Sequence, residues 1–126
     1  MKKVLSIRRL LNSFRNAFNG IIETFKSEPN MKIHVFMALI VVICGFIFKL
    51  SNIEWIVIIL LIGLILGAEV LNTCIENFAD LYSTEYNPKI KIIKDTGAGM
   101  VLSLAICSVV IGLIIFIPKL LVLIGV

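Results

Sequence analysis

The chain has 126 residues, 60% of them hydrophobic, with twelve Lys and Arg against eight Asp and Glu for a net charge of +4. A soluble domain holds about 45–50% apolar residues and spreads its polar ones over its surface, whereas here the mean hydropathy is +1.07 and the charges are gathered in a few places. These numbers exclude an ordinary water-soluble domain. The basic balance requires no nucleic acid, because basic residues beside membrane spans are expected at an anionic cytoplasmic leaflet.

In chain order, the first element is amphipathic. Ile7, Leu10, Leu11, Phe14, Phe18, Ile21, Ile22 and Phe25 recur at helical spacing, while Arg8, Arg9, Asn12, Arg15, Asn16, Asn19 and Lys26 lie elsewhere on the wheel. A basic face opposite Phe and Leu predicts a helix lying in the membrane interface over about residues 5–27. The first 30 residues hold no continuous apolar stretch of the kind found in a cleavable signal sequence. Ser27-Glu28-Pro29-Asn30 breaks the helix and puts Glu28 where it meets the bilayer.

Three spans follow, at about residues 31–49, 55–79 and 96–117. Residues 33–48 and 55–68 are free of charge apart from the ionisable His34, and the 22 residues 96–117 are free of it entirely. Such a run makes about 33 Å of helix, enough to cross a hydrocarbon core. Lys32 and Lys49 can snorkel from the ends of the short first span. The second is long enough only if its helix continues through Glu69. Before the third, Asn87 suits an N-cap and Pro88 the first helical position, so that helix should start about two turns before its membrane section. The reading is an all-α membrane protein, one domain with a surface helix and three transmembrane helices.

Seven basic residues precede residue 33 (Lys2, Lys3, Arg8, Arg9, Arg15, Lys26, Lys32) and Lys89, Lys91 and Lys94 stand between the second and third spans, against Lys49 and Lys119 on the other side. The positive-inside rule predicts a cytoplasmic N-terminus. Gly63 with Gly67, and Ser108 with Gly112, are spaced for helix contacts. Gly97-Ala98-Gly99 is read as a place where helices approach. Cys44, Cys74 and Cys107 fall one per span, an odd number without metal-site spacing, and are read as packing residues.

The residues with chemistry sit in the second span. Glu69, Asn72, Thr73, Glu76 and Asp80 fall within about 100° of one another on the helical wheel and form one polar stripe. An ionisable group at the bilayer centre costs about 2.5–3.5 kcal/mol, so such groups are kept mainly for function. Glu69 and Glu76 are about 10.5 Å apart along the helix, too far to grip one ion together but suited to a group extending between them. Glu28, Glu76 and Asp80 lie near one interface, and carboxylates with substrate phosphates are the usual ligands of Mg²⁺. A polar seam without catalysis and a small proton-coupled carrier remain alternatives. The carrier suffers from the lack of polar side chains between Trp55 and Ala68. No phosphate-binding loop of soluble kinases is present.

Glu69-Val-Leu-Asn-Thr-Cys-Ile-Glu76, Asp80, Ser83-Thr-Glu-Tyr86 and Lys94-Asp95 resemble the pattern of the small prokaryotic integral-membrane diacylglycerol and undecaprenol kinases. The resemblance runs from Arg15-Asn-Ala-Phe-Asn-Gly20 through Glu28 and Asn30-Met-Lys-Ile-His34 to Pro118. It implies a homotrimer in a bacterial cell membrane that phosphorylates a lipid alcohol with ATP and Mg²⁺. It further implies Glu69 as catalytic base, Glu28 and Glu76 at the metal, and nucleotide contacts from Glu28, Asn72, Glu76, Glu85, Tyr86, Asn87, Lys94 and Asp95. Asp95 is expected to orient Lys94 or the nucleotide. Lipid contacts are expected at Arg15, Asn19, His34 and Trp55. Asn16 and Asn87 depart from the family, which often has an aromatic residue and a His there. Asn30 to His34, the turn 50–54 and Asn87-Pro88 resemble the Gram-positive branch, for which undecaprenol is the implied substrate and diacylglycerol the alternative.

Overall fold

A computed structural model describes residues 6–126; Leu5, expected to open the surface helix, and Lys2 and Lys3 of the basic group lie outside the described residues. Four helices follow one another: α1 (Ile7–Ser27), α2 (Pro29–Ile47), α3 (Asn52–Tyr82) and α4 (Pro88–Leu123). The last three are each long and apolar enough to cross a membrane. The fold is all-α, as the charge-free runs require.

Each boundary has a local cause. Ser6 opens α1 by accepting from the Arg9 amide at 3.3 Å. Glu28 both closes α1 and opens α2 in an extended conformation, with its amide on the Thr24 carbonyl and Pro29 as the first residue of α2. Lys32 Nζ donates back to the Lys26 carbonyl at 3.1 Å and ties α2 to the end of α1. Lys49 ends α2 with φ +52°, and the Leu50 amide reaches the Gly45 carbonyl at 3.0 Å. That is the 6→1 bond of a Schellman turn, with Lys where glycine is usual. Ser51 and Glu54 form a reciprocal capping box at the start of α3. Asn87 Oδ1 accepts from the Lys89 amide at 2.9 Å and caps α4.

α4 runs past the expected end at residue 117, through Pro118 to Leu123. Proline removes only one N–H, and the apolar surroundings of a span penalise any further unpaired backbone, so the following Leu and Val residues keep the helix going. Lys119 Nζ then reaches Glu54 at 3.0 Å and pins this extension to the start of α3.

α2 and α4 both pack on α3, yet their own backbones do not approach one another. The interior is correspondingly small: Met31, Leu50, Ile58, Ala68, Ala79, Ile90 and Val101 are the buried apolar residues. Most of the large Ile, Leu and Phe side chains of the spans are exposed. In water they would be a liability, but hydrocarbon is their solvent. Cys74 and Cys107 are also exposed, so of the three free cysteines Cys44 alone has the packed setting expected of all three.

The outer hairpin is tight because Gly45 has no side chain. A Cβ there would lie 2.6 Å from the Trp55 ring, which also stacks obliquely on Phe46 at 4.9 Å between centroids. Gly45→Ala is expected to destabilise the α2–α3 hairpin by about 1–3 kcal/mol through overpacking. A lowered thermal midpoint in detergent would register it, with Gly20→Ala as a control because nothing lies within 4 Å of a Cβ at that position.

Candidate active site

The polar stripe of α3 is graded by depth. Glu69, Asn72 and Thr73 are buried, Glu76 is half-buried and Asp80 is exposed. Glu69, at 2% exposure, is the most enclosed of the large side chains. Thr73 is spent locally, its hydroxyl donating to the Glu69 carbonyl at 2.9 Å. Asn72 Nδ2 donates to Glu76 Oε1 at 3.3 Å, whereas Asn72 Oδ1 is buried without a partner. Helix α4 dictates this orientation: a Cβ on Gly97 would lie 2.5 Å from Asn72 Oδ1. The close approach expected at Gly97-Ala98-Gly99 therefore occurs at Gly97, and its partner is the polar stripe itself.

From α2, His34 Nε2 comes within 4.0 Å of Glu69 Oε2, with the imidazole 20% exposed. Glu28 and Glu76 are the carboxylates near enough to Glu69 to act on it electrostatically. One buried carboxyl is thus flanked by an imidazole and two more accessible carboxylates. Among the described residues no three acidic, His or Cys side chains group closely enough to hold a metal ion by themselves, but the carboxylates of Glu28 and Glu76 are oxygen donors of the kind Mg²⁺ takes one or two of, together with substrate phosphates.

At the exposed end of the stripe, Lys94 of α4 pairs with Asp80 and Lys91 pairs with Asp95 one turn on. Asp95 does not orient Lys94; Asp80 does. Glu85 and Tyr86 are exposed in the α3–α4 loop, where the Glu85 amide bonds Ser83 Oγ at 3.1 Å. Asn87 is committed to its cap. Arg15 and Asn19 are exposed on α1. Trp55 lies at the opposite end of α3, about 21 Å along the helix from Glu69, and packs on Gly45.

Between α2 and α4, floored by α3, lies a cleft of about 490 Å³. His34 stands at one end and Phe116 at the other, where Phe116 meets Phe48 edge-on with centroids 5.9 Å apart. Ile33, Val41, Leu61 and Ile65 line it between. Ser108 and Gly112, expected as helix contacts, instead face this cleft, and nothing lies within 4 Å of a Cβ at Gly112. The result is an apolar slot that ends beside a buried carboxyl.

The sequence pattern of the family described as prokaryotic diacylglycerol kinase matches residues 15–116. The chain belongs to that family. The undecaprenol kinase of Bacillus subtilis (strain 168) is 46% identical over 114 residues, covering 90% of this chain and 93% of its own length. The diacylglycerol kinase of Synechocystis sp. (strain ATCC 27184 / PCC 6803 / Kazusa) is 36% identical over 113 residues, 89% of this chain and 65% of that protein. The chain is therefore a kinase that transfers phosphate to an alcohol. The carrier and the inert polar seam are set aside. Sequence reasoning missed three pairings in this kinase: Asp80 with Lys94, Gly97 with Asn72, and His34 with Glu69. The stripe already contained Asp80, but no spacing within the sequence sets it opposite Lys94, since Asp80 lies two residues before the end of α3 and Lys94 six residues after the start of α4.

Proposed function

We propose that this kinase phosphorylates undecaprenol at the cytoplasmic face of the membrane, with Mg²⁺–ATP as phosphate donor. The apolar slot ending at His34 and Glu69 carries the reading, because it offers a place for a long hydrocarbon tail with its hydroxyl at the carboxyl. The high identity and near-complete mutual coverage with the Bacillus relative, named for undecaprenol, favour that lipid over diacylglycerol.

In this reading Glu69 accepts the proton of the lipid hydroxyl as its oxygen attacks the terminal phosphate. Glu28 and Glu76 would hold Mg²⁺, with Asn72 orienting Glu76 through its amide. The ion, when bound, neutralises charge on the phosphates, which is most of what phosphoryl transfer demands beyond positioning. Lys94 exchanges Asp80 for a phosphate oxygen. Asp95, Glu85, Tyr86 and Asn87 border the nucleotide, while Arg15 and Asn19 of the surface helix, with His34, meet the lipid head. Trp55 belongs with the far end of the tail.

The 126 residues act as one lipid-kinase domain, with the N-terminus in the cytoplasm, and assemble as a homotrimer. Assembly is supported by Gly63 and Gly67, which leave open space on α3 within the chain, and by the small interior of a single subunit.

Purified protein in mixed micelles with labelled ATP, offered undecaprenol and diacylglycerol in competition, tests the proposal. Undecaprenyl phosphate is the expected major product. Gly112→Leu, which fills the slot without striking the protein, is expected to raise KM for the lipid about tenfold or more and leave KM for ATP unchanged, in line with about 0.8 kcal/mol for each CH₂ that loses its burial. Predominant phosphatidic acid would transfer the assignment to diacylglycerol. Absence of any phosphorylated lipid would refute the proposal.

A further inference from the structure

We infer that His34 is the proton exit for Glu69, a relay residue that resets the base after each turnover. The inference rests on the assignment of Glu69 as proton acceptor and extends it. A carboxyl at 2% exposure can take a proton from the lipid hydroxyl, but it has no direct path for returning that proton to water.

The surroundings of Glu69 leave one suitable acceptor. Thr73 is not titratable, and its hydroxyl is already used on the Glu69 carbonyl. Glu76 accepts from Asn72 and lies about 10.5 Å farther along α3. Glu28 sits at the junction of α1 and α2, where its carboxylate accepts from Ser27 Oγ at 3.5 Å, and in the reading above it is occupied by the metal. From α4 the slot receives Ala105, Ser108 and Gly112, none of them titratable. His34 alone combines proximity with an outlet, since Nε2 is 4.0 Å from Glu69 Oε2 and the ring is 20% exposed. A separation of 4.0 Å exceeds a hydrogen bond, so transfer takes a closure of about 1 Å or one bridging water.

The proton balance is simple. As the lipid oxygen bonds to the terminal phosphorus and the bond from phosphorus to ADP breaks, the hydroxyl proton passes to Glu69. Glu69 then gives it to Nε2 of neutral His34, leaving a carboxylate beside an imidazolium. The imidazolium releases the proton on Nδ1 to water at the interface, and exchange of the ring protons with that water then returns the neutral ring to its Nδ1–H tautomer, which leaves Nε2 free to accept from Glu69 again. Its transient positive charge also compensates the re-formed carboxylate in surroundings that disfavour a lone ion.

A relay differs from a merely structural contact in when it matters. The first turnover draws on the base as it stands before any product forms, and each later one must first clear the proton taken up in the turnover before it, which is where His34 acts. In rapid-quench assays of the full-length protein at saturating undecaprenol and Mg²⁺–ATP, His34→Gln is expected to lose at least about fivefold more in its steady-state rate than in its first-turnover rate, whatever loss of lipid contact lowers both. Product then appears as a burst of one per site. In His34→Ala, added imidazole should restore the steady state and leave the first turnover unchanged. Equal loss in both phases, no loss in either, or a steady state insensitive to imidazole would each overturn the relay. Wild-type protein that forms no product in either phase would remove the kinase assignment itself, and the relay with it; that result is distinct from a wild type that turns over while the variants fail to show a burst.

Discussion

Glu69→Gln is expected to lower kcat by about two to four orders of magnitude, the usual worth of a positioned general base. The amide matches the carboxyl in volume and cannot accept a proton from the lipid hydroxyl. The fold should survive, because a neutral amide is cheaper to bury than an ionisable group. KM for ATP should stay within about twofold, since in this reading Glu69 faces the lipid and Glu28 and Glu76 face the metal. Steady-state phosphorylation with labelled ATP, read beside a thermal midpoint, checks this. Turnover preserved in a folded variant would transfer the role of base to another group.

The second large effect comes from a residue with no chemistry of its own. Gly97→Ala puts a Cβ 2.5 Å from Asn72 Oδ1, a separation that cannot stand. Either α4 moves away from α3 or Asn72 turns and releases Glu76. In the first case the overpacking costs about 1–3 kcal/mol. In the second Glu76, the proposed Mg²⁺ ligand, loses its orientation, and misplacement by about 1 Å can cost on the order of 100-fold in rate. A loss of tenfold or more in kcat/KM for Mg²⁺–ATP is expected, with a higher Mg²⁺ requirement. Gly99→Ala, two residues on and with nothing within 4 Å of its Cβ, should stay near wild type. Equal behaviour of the two variants would show that the Gly97–Asn72 contact does not position the site.

Both predictions depend on how α3 and α4 meet, and that shows where sequence reading reached its limit. The stripe from Glu69 to Asp80 was legible because its members share one helix, where 100° per residue dictates which side chains align. Its gradient from buried to exposed follows from the direction of the span. The break at Glu28-Pro29, the Ser51–Glu54 box and the Asn87 cap were equally local, and each is formed by residues within about one turn. The charge-free run 96–117 bounded the third span but not its helix, because a single missing N–H at Pro118 matters less than the apolar setting that keeps the rest of the helix paired.

Ser108 and Gly112 show the other kind of error. Small residues at helical spacing serve a close contact or leave an opening, and spacing alone does not distinguish the two. Here α2 and α4 stand apart on α3, so the absent side chain widens an apolar slot instead of closing a contact. His34 raised the same difficulty. Its place near the mouth of the first span suited an interfacial anchor, but the packing of α2 on α3 turns it to the most buried carboxyl in the chain.

The sequence by itself determined that this chain is an all-helical membrane protein, where its helices begin, that one face of its second span carries carboxylates, and which kinase family that pattern resembles. These follow from hydropathy, helical period and capping, which act over a few residues. Only the tertiary structure decided that His34 meets Glu69, that Gly97 backs Asn72, that Asp80 pairs with Lys94, and that an apolar slot ends at His34. Each of those is a contact between helices, set by the register and splay that packing selects from many arrangements compatible with the same local pattern.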